Sequence, residues 1–201
     1  MTVDRSAVHL GGEAYPLPAA NAPGALAVSL SRVHDRGPSA DPLIVRVEPN
    51  VGAAPLLGVA RVVADAGFGA ARLVVGADDV ALELAPRDRS RAVVRFDGVE
   101  RGAWNVTIDV STGDCDAILE SGTLRPPGAG PASFALDTLP DVKPGEVGVL
   151  VVPHADATAA DVASLLATFA STRLAKSLHP KLRFEWTPRP CPNDGKFGHA
   201  N

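Results

Sequence analysis

Aromatic residues are scarce in this chain. Two Trp, one Tyr and six Phe make up 4% of its 201 residues, too few to furnish the stacking platforms on which single-stranded nucleic acids lie. Basic clusters are scarcer still. The formal net charge is −4, and no stripe of Lys and Arg interleaves with aromatics, so nucleic acid is not expected as a partner. The local exception, Arg87-Asp88-Arg89-Ser90-Arg91, sits in a polar break between hydrophobic segments and reads as a solvated linker. No run of about 18 apolar residues occurs, so no membrane span is expected. No apolar stretch follows Met1-Thr2-Val3-Asp4-Arg5, so no signal peptide is in view. The expectation is a cytoplasmic protein, or a periplasmic or cell-envelope one if a signal or anchor has been removed. Only two cysteines are present, Cys115 and Cys191. They lie outside CxxC spacing, which speaks against a zinc site and leaves one disulfide or two free thiols. A Gly-x-Ser-x-Gly elbow is missing, and Gly67-Phe68-Gly69 precedes a strand rather than opening a helix, so it is no phosphate loop. No cofactor is expected.

What the chain does have is aliphatic. Hydrophobic residues are 46% and charged residues 21%, ordinary for a globular protein, with a core built from Ala, Val and Leu. Ala7 to Leu10 and Glu13 to Leu17 flank Gly11-Gly12 and read as two strands around a tight turn. Ala25 to His34 carries Leu26, Leu30 and Val33 at helical spacing. Leu43 to Val47 is a β-branched strand. Pro55 to Ala66 is an amphipathic helix with Pro near its first turn, ended by Gly67 before the strand Arg72 to Val75. Val80–Leu84 and Ala92–Phe96 are expected to form a hairpin across the Arg-rich loop. Trp104 to Val110 alternates, so one of its faces is expected to be wet. Leu124 to Pro131 reads as loop. Val147 to Val152 is a strand, Thr158 to Leu174 a helix with Thr158 and Asp161 forming its N-terminal cap, and Leu182 to Trp186 a final strand.

The strand–helix–strand pattern thus occurs twice. Arg46 to Leu57 aligns without a gap on Val152 to Ala163: a buried strand, a polar turn, and a helix opened by small residues. Residue identity is low, but the pattern of residue classes agrees, and duplication accounts for it. Each turn carries polar groups. His154 and Asp156, with Asp161 further on, invite a metal or acid–base reading, while a capping Asp in a turn explains them more cheaply. Glu48 and Asn50 occupy the first turn in the same way. Cys115 has Asp114 and Asp116 beside it, which would raise rather than lower its thiol pKa, so it is a poor nucleophile. His9, His34, His179 and His199 are scattered and expected to be exposed. Trp104 and Trp186 are expected to fill the core.

Arg46-Val47-Glu48-Pro49-Asn50-Val51 through Ala66-Gly67-Phe68 resembles the periplasmic domain of ExbD/TolR-type proteins. That domain has a strand ending in an acid, a short turn, a Val-rich helix, and an Ala-Gly-Phe before the last strand. Glu48 stands at the acid, Leu56, Leu57 and Val59 at helix positions, and Leu73-Val74-Val75 closes the pattern. The Leu10-Gly11-Gly12-Glu13 turn fits the opening hairpin. The likeness spans about residues 7–76 and is weaker over 147–186, where His154 replaces the acid. The family's membrane helix with its proton-coupled aspartate has no counterpart in these residues. The resemblance implies an α/β (α+β) fold of two tandem units, each a small mixed sheet with one or two helices on one face. The units are placed at 1–86 and 92–186, with a linker at 87–91 and a loose tail at 187–201. It further implies a non-enzymatic binding or scaffold module of the bacterial envelope. Its partner would be a protein, a cell-wall component or a second copy, and Glu48, Asn50, His154 and Asp156 are the candidate binding residues. The rival expectation is a metal-dependent or acid–base hydrolase using His154 and Asp156.

Overall fold

The computed structural model describes residues 1–17, 24–37, 42–84, 92–111, 116–124 and 143–184. The linker at 87–91, Cys115, Cys191, Trp186 and the tail at 187–201 lie outside them. The chain adopts the expected mixed α/β class. Its elements are β1 (Thr2–Val3), β2 (Ala7–Leu10), β3 (Glu13–Pro16), α1 (Gly24–Arg36), β4 (Leu43–Val47), α2 (Ala53–Asp65), β5 (Ala70–Val75) and β6 (Asp78–Leu84). They continue with β7 (Ala92–Glu100), β8 (Ala103–Ser111), β9 (Asp116–Leu124), β10 (Val147–Val152), α3 (Ala159–Ser171), α4 (Arg173–Leu178) and β11 (Lys181–Arg183).

The eleven strands among the described residues lie in one sheet, in the order β3-β2-β1-β4-β5-β6-β11-β10-β7-β8-β9. Residues before and after the Arg-rich break form two contiguous blocks of it. In each block a three-strand meander (β1–β3, then β7–β9) is followed by two strands parallel to its first, β4 and β5, then β10 and β11. Because β6 is antiparallel to β5 and parallel to β11, the second block runs upside down relative to the first. Helix α2 crosses from β4 to β5, and α3 with α4 from β10 to β11, as parallel neighbours require.

The pairing of β6 corrects the hairpin expected between Val80–Leu84 and Ala92–Phe96. Strand β6 turns back on β5 through Gly76, whose φ of 60° suits a two-residue hairpin turn, and β7 pairs with β8 and β10 instead. A second correction concerns the helix expected over Thr158 to Leu174. Thr172 is extended (φ −67°, ψ 156°) and splits it. Its hydroxyl donates to the Phe169 carbonyl at 2.6 Å and accepts from the Ala175 amide at 3.2 Å, so one side chain serves both helix ends.

The helices form a row, α1 against α2, α2 against α3, α3 against α4. Beneath them inward residues of β1 to β8, β10 and β11 join one cluster, from Val8 and Val45 through Leu73, Val80 and Val149 to Phe96 and Ile108. Trp104 belongs to it, and the wet alternation of β8 holds, with Asn105 exposed between buried Trp104 and Val106. The other sheet face differs between blocks. In the first it is bare: Ile44 is 44% exposed, and Arg46, Arg72 and Ala81 are open to solvent. In the second, Val93 and Leu150 are buried on that face.

Candidate binding site

The turns that carry the candidate residues follow buried strands and open helices. Both close in the same way, with the Val51 amide donating to the Glu48 carbonyl at 3.1 Å and the Ala157 amide to the His154 carbonyl at 3.0 Å. Helices α2 and α3 then run for 13 residues each, so that Ala53 matches Ala159 and Asp65 matches Ser171. This is the alignment drawn from residue classes, 106 positions apart throughout.

The two turns meet. Gly52 and Thr158 form an isolated antiparallel bridge. The Ala53 amide donates to the Ala157 carbonyl at 2.8 Å, and the Ala159 amide to the Val51 carbonyl at 2.7 Å. The Ala160 amide adds a bond to the Pro49 carbonyl at 3.2 Å. First-turn amides of a helix have no intrahelical acceptor, and here each helix uses the other's turn to supply one. The fold therefore brings Glu48, Asn50, His154 and Asp156 onto two stitched turns.

Their side chains differ in what they do there. Glu48 and Asn50 are exposed. The His154 Nδ1 accepts from the Asp156 amide at 3.3 Å and lies 3.7 Å from the Asp156 carboxylate, which is 83% exposed. Asp161 serves structure: Thr158 and Asp161 form a capping box, with the Thr158 amide donating to the carboxylate at 2.8 Å. Arg101, from the β7–β8 turn, approaches that carboxylate at 3.7 Å. Among the described residues no three His, Cys, Asp or Glu side chains gather as a metal site. Of the other histidines, His9 and His179 are exposed as expected. His34 is half-buried and packs edge-on against Phe68 at 5.0 Å. It also stands against Gly67, whose φ of 99° permits this close approach of α1.

Residue types alone did not single out two acidic anchors. Asp4 accepts from the Ser6 amide and hydroxyl at 2.7 Å each and from the Ala7 amide at 2.9 Å, with His9 at 2.7 Å. The Ser6 bonds, chiefly, hold its pKa well below the usual carboxylate range. Asp79 takes two bonds from the Arg72 guanidinium at 2.6 Å, which lower its pKa and raise that of Arg72. A carboxyl depressed on folding adds stability above its unfolded value, about 3.9 for Asp. That stability is lost as pH falls through the folded value. The melting temperature should therefore fall below about pH 4, and Asp4→Asn with Asp79→Asn should flatten that fall. An unchanged acid limb in the double variant would show that other carboxylates govern it.

No helix among the described residues is long and apolar enough to cross a membrane. No family model, curated protein or solved structure matches the chain.

Proposed function

We propose that the chain is a non-enzymatic binding or scaffold module of the bacterial envelope, akin to the periplasmic part of ExbD/TolR proteins. In this reading it is built from two such units fused in one chain, and its partner is a protein or a cell-wall component. The observation that carries the reading is the exposed sheet surface. The first block leaves one face bare around Ile44, Arg46 and Arg72, and among the described residues the sheet ends on β9, a nine-residue strand. Exposed sheet faces and strand edges serve contact with other chains. The stitched turns with Glu48, Asn50, His154 and Asp156 supply polar groups for orientation.

The reading predicts concentration-dependent self-association at micromolar protein in sedimentation velocity, or co-sedimentation with purified peptidoglycan. Ile44→Glu should weaken whichever is found while leaving the melting temperature within a few degrees, as a surface change does. A strict monomer that stays in the supernatant overturns it.

A further inference from the structure

The sheet is open along one internal seam. Strands β5 and β6 pair over six residues each, from Ala70 with Glu83 to Val75 with Asp78, whereas β6 and β11 share only Glu83 with Lys181 and Leu84 with Leu182. The reason lies in the approach of β11. Helix α4 ends on His179 in the left-handed region (φ 48°), and Pro180 follows with no N–H to donate, so pairing cannot begin before Lys181. In the antiparallel ladder alternate residues face the partner strand. The Leu84 amide bonds back to the Gly69 carbonyl at 2.9 Å, which fixes Leu82, Val80 and Asp78 as the residues facing β5. Asp79 and Ala81 therefore direct their amides and carbonyls away from β5, at a level β11 does not reach. Both residues are exposed.

Beside this edge lies a groove of about 330 Å³. Val80 and Leu82 form its floor, Leu166, Phe169 and Ala170 of α3 its roof, and Pro180 closes one end. That volume is at the lower end for a ligand site.

We propose that the seam receives an extended peptide, which adds to β6 as a strand and inserts its alternate, apolar side chains into the groove. Backbone donors and acceptors repeating every second residue, about 6.6 Å apart, are matched by another strand and not by a lipid tail or a compact small molecule. The groove-facing positions take aliphatic residues. The intervening positions lie on the open face beside Arg72 and Asp79 and take polar ones. This rests on the scaffold reading, since it names the partner as a peptide segment, but its site is distinct from the bare face at Ile44 and from β9.

The test is to pan a random heptapeptide phage library on the full chain and titrate the enriched peptides, resynthesised, into ¹⁵N-labelled protein. Enriched sequences should alternate apolar and polar residues and should shift the Asp79 and Ala81 amides. Ala81→Pro removes an outward N–H without touching a bond to β5, and should weaken binding at least tenfold. Ala170→Phe, which fills the groove from the exposed side of α3 and leaves the strand intact, should do the same if the proline variant folds poorly. Absence of any enriched peptide, or binding that survives both substitutions, overturns the inference. Peptides that shift β9 amides instead overturn it too, while leaving the scaffold reading standing.

Discussion

Phe96→Ala should cost about 4 kcal/mol of unfolding free energy, at 2–4 °C per kcal/mol for a chain of this size roughly a 10 °C fall in melting temperature. Phe96 is fully buried on β7, and its ring meets Phe169 of α3 edge-on, with centroids 5.4 Å apart. This contact links α3 to the strands of the second block. The Phe169→Ala variant should be comparably destabilised. The double variant should lose less than the sum by about 1 kcal/mol, the part that belongs to the pair itself. Urea denaturation of the four proteins measures the cycle. A single-variant loss under about 1 kcal/mol would mean that α3 is not seated on β7 as described.

Local periodicity carried much of the fold. The β-branched run at Leu43–Val47, the helical spacing of Leu56, Val59 and Val63, and the Gly11-Gly12 hairpin each follow from residues within a few positions of one another. So does the capping box, since Thr158 and Asp161 are three apart. The strand, polar turn and helix at both places were legible as well, because each follows from residue class along a short stretch. What was not legible depends on distant partners. Nothing within Val80–Leu84 says that it turns back on β5 rather than forward to β7. Thr172 breaks α3 through its side-chain oxygen, although threonine is no strong helix breaker. Strand β9 escaped notice because a register shift where Ile108 and Asp109 meet it interrupts its alternation, as does Gly122.

The candidate site divides along the same line. Its four residues could be named from the turns, and the fold does set those turns side by side. Their stitching through Ala53, Ala157, Ala159 and Val51 uses backbone atoms alone, and side-chain identity encodes backbone pairing only weakly. The seam beside β6 is a further step removed. It exists because a proline 97 positions away in sequence delays the start of β11, a consequence visible only once the strand order is known.

The turn at His154 depends on one absent side chain, and that dependence is testable. At the end of β7, beside a register shift, Gly98 packs against the chain leaving β10. A Cβ there would press on the His154 amide nitrogen well inside van der Waals contact, with His154 Cβ at 3.1 Å and the Pro153 carbonyl carbon at 3.2 Å. All three atoms belong to a segment fixed on one side by β10 and on the other by the Ala157–His154 bond and the bridge to Gly52. None is the free end of a flexible side chain, so the clash has no cheap escape. Gly98→Ala should cost about 3 kcal/mol, at the upper end for overpacking, and should move the His154, Ala157 and Thr158 amide resonances together. The stitched turns make a further demand: the displacement should reach Val51 and Ala53 of the first turn, though they are far from Gly98 in sequence. If the alanine variant melts within a degree of the parent with those amides unmoved, then β7 does not press on the second turn. The candidate residues would then be held by β10 and α3 alone.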